Sequence, residues 1–186
     1  MNLRPSGVVR SIEWFGSNPT YRFALLFLIY LGVAGFGYPR VRAHFKAAGD
    51  AMIIGIAKIE HFLFSLFSSD ASISGRQVVF GGFSVEIIEE CTAMYEILIF
   101  AAAVFAFPTR WGKRAIGLGL GIPLLFAINL GRIAMLIVVG RYYPSVFDFM
   151  HVYFWQATLI LMITSVWLLW ILKVVRNEEE ALPSRS

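Results

Sequence analysis

Cysteine is nearly missing from this chain: Cys91 is the only one in 186 residues. An intramolecular disulfide is therefore impossible, and so is a cysteine-rich metal site. Histidine is scarce as well. The three histidines are scattered without zinc-ligand spacing, so no metal and no cofactor is expected. Charge is also thin, at 15% Asp, Glu, Lys and Arg against about 25% in a soluble domain. Apolar residues fill the gap: 58% of the chain is hydrophobic, 17 residues are Phe, and mean hydropathy is +0.70. A soluble domain of this length cannot bury so much apolar surface. A soluble enzyme, a disordered regulator and a disulfide scaffold are all excluded, and the chain reads as an integral membrane protein. The net charge of +4 fits cytoplasmic Lys and Arg flanking membrane spans. No basic stripe with interleaved aromatics lies outside the apolar runs, so no nucleic-acid partner is expected.

The pattern predicts an all-α polytopic membrane protein in a single membrane domain over 1–186. It has about four transmembrane helices, an interfacial amphipathic helix and a small outer-face β-hairpin. Residues 1–22 form a polar, cytoplasmic N-terminal segment, and 23–38 a first, uncleaved span near the lower length limit. Residues 51–67 are apolar but carry Lys58, Glu60 and His61 near the middle. Those charges are costly inside a span, so the stretch reads as a helix lying in the interface. Residues 68–76 read as a turn-rich loop. Gln77–Phe80 and Phe83–Ile88 flank Gly81-Gly82 as a hairpin. The outer-face region thus covers 39–90.

Three apolar runs make up 91–172: Cys91 to Phe107, Ala115 to Val139, and Val152 to Leu172. A cytoplasmic tail occupies 173–186. The short loop with Arg110, Lys113 and Arg114 belongs on the cytoplasmic side by the positive-inside rule. Both termini then lie inside, and the protein is a multi-pass protein of the cytoplasmic (inner) membrane. Arg40, Arg42 and Lys46 fall outside, against the rule. Gly117-x-Gly119-x-Gly121 lies within an apolar run without a preceding strand, so it reads as helix packing and not as a phosphate loop.

This topology puts Cys91 and His151 at helix starts on the outer surface. Arg132 sits about 12 Å below the outer end of its own helix. A thiol, an imidazole and a guanidinium are the parts of thiol acyl transfer: nucleophile, proton carrier and oxyanion stabiliser. Each has a plainer reading. Cys91 can fill a helix as a small apolar residue. His151 can cap a helix at headgroup level. Arg132 can pair with Glu96 as a buried ion pair. Asn129, one turn from Arg132, either satisfies backbone or Arg132, or contacts substrate. Tyr95 lies one turn below Cys91, Glu90 just before it, and Asp148 three residues before His151. These are supporting candidates for lining the site, contacting substrate and orienting the imidazole.

The same residues carry a resemblance. Glu90-Cys91-Thr92-Ala93 follows a strand, and Pro108 and basic residues come next. Asn129-Leu130-Gly131-Arg132 follows, and then Phe147-Asp148-Phe149-Met150-His151 opens a Trp-rich final helix. Over about residues 70–172 the chain resembles the exosortase/archaeosortase family of membrane transpeptidases, and in length its compact, exosortase H-like members. Many members carry Gly where this chain has Ala93. The resemblance implies catalytic roles for Cys91, Arg132 and His151. It implies a membrane-anchored substrate with a C-terminal PEP-CTERM-like sorting signal and an active site on the outer, periplasmic face. The acceptor of the acyl group stays open between a lipid, a polysaccharide and water. Two other classes also fit the runs: a non-enzymatic scaffold for exopolysaccharide export, and a small transporter using Glu96 and Arg132.

Overall fold

The computed structural model describes residues 18–176. The expected terminal segments 1–22 and 173–186 lie mostly outside those residues. Helix α1 (Pro19–His44) starts where Asn18 Oδ1 accepts from Thr20 N at 3.1 Å with Pro19 in the first turn, a common helix start. The helix thus takes in 19–22, which the sequence pattern put in the polar segment. A break at Phe45 leads into α2 (Lys46–Ser65). Then come β1 (Ala71–Ser74), β2 (Gln77–Phe80) and β3 (Phe83–Glu86), a single turn of 3₁₀ helix at Glu89–Cys91, and α3 (Met94–Ala106). Helix α4 (Trp111–Tyr142) and a final helical segment, α5 (Pro144–Arg176), complete the fold. Three helices, α1, α4 and α5, are long and apolar enough to cross a membrane, and α3 is a shorter apolar helix. The chain is a multi-pass, all-α membrane protein with a small sheet at one end of its bundle.

Four boundaries differ from the sequence pattern. The turn-rich loop 68–76 contains strand β1, making an antiparallel sheet of three strands in the order β1-β2-β3. Its serines hide an alternation, with Ala71 and Ile73 half-buried and Ser72 and Ser74 exposed. Residues 91–93 are not part of the helix expected from Cys91. The final helix begins at Pro144, so His151 sits inside it, in a wide π-helical turn at Met150–Phe154. Lastly, α3 has 13 residues, about 20 Å at 1.5 Å per residue.

Two apolar clusters hold the bundle. Near the sheet, Ile53, Ile56, Ala57 and Phe64 of α2 pack with Val78, Ile87, Cys91, Ile133 and Ile137. At the other end, Phe100 and Val104 of α3 meet Leu125 of α4 and Ile163, Val166 and Trp170 of α5. That second end is clasped by polar bonds. Trp170 Nε1 donates to Lys113 O at 2.9 Å, and Lys113 Nζ donates to Val175 O at 2.8 Å.

Two of the three glycines in the 117–121 run are close-approach sites. A Cβ on Gly117 would meet the Trp170 indole, and one on Gly121 would enter the Phe100 ring, whereas Gly119 faces open space. Phe100 is fully buried and has nowhere to move. Gly121→Val should therefore cost about 1–3 kcal/mol through overpacking, read as a lower unfolding temperature in detergent. Gly119→Val, the control, should leave that temperature unchanged.

Of the three cations Arg40, Arg42 and Lys46 that the sequence pattern put outside, Arg42 is held by carboxylates. Arg42 forms ion pairs with Asp50 at 2.8 Å and with Glu89 at 3.3 Å, and Arg76 reaches Asp50 at 3.2 Å. Arg42 Nη1 also donates to Lys46 O at 2.9 Å across the α1–α2 break. The network also ties the α1–α2 corner to Glu89, in the turn that carries Cys91.

Candidate active site

Cys91 closes the 3₁₀ turn, with its N–H donating to Ile88 O at 3.0 Å. Thr92 Oγ1 and Thr92 N both bond Glu89 O, at 2.7 and 3.0 Å. Ala93 then takes φ 61° and ψ 8°, the only positive φ outside glycine among the described residues. This left-handed residue ends the turn, and its carbonyl starts α3 by accepting from Ile97 N at 2.9 Å. The conformation favours Gly and costs an L-residue about 1–2 kcal/mol. Alanine, with the smallest Cβ, occupies it here.

The N-x-x-R spacing on α4 has a direct structural role. Asn129 Nδ2 donates to Cys91 O at 2.7 Å, and Asn129 Oδ1 accepts from Arg132 Nη1 at 3.2 Å. Both side chains are buried. One amide thus joins the nucleophile candidate's main chain to the guanidinium. Asn129 lies about 20 Å back from Tyr142 along α4 at 1.5 Å per residue, and Cys91 lies level with it. Cys91 therefore lies about 20 Å from the Tyr142 end of α4.

Cys91 and His151 line one pocket of about 230 Å³, together with strand β3 and Phe147. Phe147 stacks on the imidazole, with centroids 5.6 Å apart and planes 5° from parallel. Phe83 of β3 meets Phe147 edge-on at 5.3 Å, and a Cβ on Gly140 would enter the Phe83 ring. The sheet thus positions the histidine through two aromatic contacts. His151 Nδ1 is buried with no hydrogen-bond partner among the described residues. Burial pushes the Cys91 thiol above its ordinary value. A backbone hydrogen bond at Ile88 and the nearby Arg132 charge pull it down, and Glu90 and Glu96 push it up. Burial prevails, so the resting group is a thiol that needs a base.

The other candidates separate. Arg132 and Glu96 do not form an ion pair among the described residues. Arg132 Nε and Glu96 Oε2 are both buried without a partner. Asp148 is exposed and does not bond His151, whose orientation comes from Phe147 instead. Glu90 is exposed. Tyr95 points away from the pocket and packs edge-on against Tyr38 of α1, centroids 5.2 Å apart. Sequence reasoning passed over Phe147, although its i,i+4 spacing to His151 was a usable signal. Glu89 read from sequence as a substrate contact or, more plainly, a solvated loop residue; its partner Arg42 lies on a different helix and leaves no local trace.

Glu60 of α2 is a second buried group in this half of the molecule. It is fully buried, both carboxylate oxygens lack partners, and burial pushes its pKa from 4.5 up to about 7. Between those values the folded state keeps a proton that the unfolded chain has released. Stability should therefore fall as pH rises from about 4.5 to about 7, by on the order of 3 kcal/mol, and then level off. Glu60→Gln should flatten that slope in a pH series of thermal unfolding.

The family model of the transmembrane exosortases matches residues 14–171. No curated protein and no solved structure matches the chain. The matched stretch takes in all five helices described here, the sheet and the Cys91–His151 pocket, and over that length the chain belongs to the transmembrane exosortase family.

Proposed function

We propose that this chain is a cysteine transpeptidase/protease that cleaves a C-terminal, PEP-CTERM-like sorting signal from exported, membrane-anchored proteins. Membership of the transmembrane exosortases gives the frame, a sorting role in the membrane. The observation that carries the reading is one pocket shared by the lone cysteine and a histidine sixty residues away, with Asn129 linking Cys91 to Arg132. In this scheme His151 takes the proton from the Cys91 thiol, and Sγ attacks the scissile carbonyl carbon. Negative charge moves onto the carbonyl oxygen, where the N–H groups of Arg132 not bonded to Asn129 supply positive charge. The C–N bond then breaks, the imidazolium gives its proton to the leaving amine, and a thioester remains on Cys91. An amine or hydroxyl of a lipid or polysaccharide acceptor attacks the thioester and restores the thiol. Water in its place makes the protein a protease.

The reading places the pocket on the outer face of the cytoplasmic membrane, with both termini inside. A small charged methanethiosulfonate added outside sealed, right-side-out vesicles should label Cys91. Labelling should quicken as pH rises, with a midpoint above the ordinary thiol value of about 8.5. Labelling only from the cytoplasmic side would overturn this orientation.

A further inference from the structure

Strand β3 ends the sheet and pairs only with β2. Its register follows from the two-residue turn at Gly81-Gly82, both at positive φ. Such a turn makes Phe80 and Phe83 a hydrogen-bonded pair. Alternation then makes Val78 and Val85 the next such pair. Ile87 N donating to Arg76 O at 3.0 Å continues the same series. The main-chain N–H and C=O groups of Ser84 and Glu86 therefore point away from β2. Among the described residues nothing bonds to them. Helix α2 packs on β1 and β2, and α4 packs against β3, while Ser84 and Glu86 stay exposed along the outer edge of β3. Residues 83–86 form one wall of the pocket that holds Cys91 and His151.

We propose that the scissile segment of the substrate binds as a fourth strand on β3, its main chain bonded to Ser84 and Glu86, so that its carbonyl is delivered to Cys91. The inference rests on the transpeptidase reading and names how that substrate is held. An open sheet edge is a ready template for a further strand. The occupant must therefore bring free main-chain donors and acceptors. A transmembrane helix has none to spare along its length, whereas an extended segment leading into such a helix has them at every second residue. The nucleophile makes the same demand, because a peptide carbonyl inside a helix is already bonded and shielded. The pocket, at about 230 Å³, has room for one large side chain; a cavity of about 150 Å³ holds benzene. Recognition therefore combines main-chain pairing along β3 with one side-chain pocket.

The test separates the main chain from the side chain. Ser84→Pro removes one edge N–H at a position where an edge strand tolerates proline. Ser84→Ala keeps it. A membrane-tethered reporter with a C-terminal sorting signal should be processed at least tenfold more slowly by Ser84→Pro than by Ser84→Ala. Cys91 alkylation by a small thiol reagent should stay equal in both. Equal processing by the two variants would overturn docking on β3 and leave the cysteine chemistry standing. A second measurement needs no chemistry. In a Cys91→Ala background, Ser84→Cys is crosslinked to single cysteines scanned through the reporter's juxtamembrane segment. Disulfides concentrated at every second position support a strand on β3. Uniform crosslinking, or none, overturns it. Failure of the wild type to process the reporter at all would sink the transpeptidase reading instead.

Discussion

Cys91→Ala abolishes reporter processing while the protein stays folded and inserted. The loss is at least about 10³-fold, because the pocket holds no second thiol and removing a nucleophile leaves only binding and electrostatic effects. The structural cost is small. The change removes one sulfur from a packed cluster that keeps Ile53, Ile56, Ile87 and Ile133. The Asn129 bond to Cys91 is made to the main-chain oxygen and survives the substitution. Unfolding temperature in detergent should therefore shift little while the cleaved product disappears from an immunoblot. A scaffold for exopolysaccharide export predicts the opposite, since it needs no thiol. Processing at the wild-type rate by Cys91→Ala would end the cysteine mechanism.

Arg132 should be nearly as sensitive. Arg132→Lys keeps a positive charge but loses the planar fork that reaches Asn129 and a developing oxyanion together. A loss of about 10²–10³-fold is expected, the usual size for removing an oxyanion donor. Arg132→Ala should be inactive. It also strands Asn129 Oδ1, at a cost of about 1–3 kcal/mol in stability, so thermal unfolding must be read beside activity. A double replacement by Met at Arg132 and Gln at Glu96 tests whether charge balance is all that matters. Neither side chain is paired with the other in the fold, so the double variant should fold and remain inactive. Recovered processing would remove Arg132 from the catalytic set.

The apolar runs were legible because each helix leaves a long hydrophobic trace, and the Gly81-Gly82 hairpin because its turn chemistry is local. What was not legible is non-local or masked. Ser72 and Ser74 disguised β1 as a loop. The start of α3 was misplaced by three residues because apolar character does not report a left-handed residue, and Ala93 is an ordinary helix former. The spacing of Asn129 and Arg132 put both on one face of α4, but which neighbour shared that face was not written in it. The Arg42–Glu89 pair links residues 47 positions apart, so nothing local in the sequence announces it. His151 was found by residue type, and its holder Phe147 was missed because an aromatic at the mouth of a membrane helix is unremarkable in sequence.

The shortness of α3 makes the protein sensitive to its solvent. A helix of 13 residues covers about 20 Å of a hydrocarbon core about 30 Å thick. Beside it stand helices of 26 and 32 residues that overrun the same core. No single bilayer thickness suits both. Next to α3 the lipid must dimple, or the gap must be filled by protein and water, at a cost of a fraction of a kcal/mol per ångström of mismatch. The turn that carries Cys91 leads directly into the first residue of α3, so a mismatch at that end of the helix falls beside the thiol. The expected sign is a Cys91 labelling rate that changes with acyl-chain length in bilayers of different thickness.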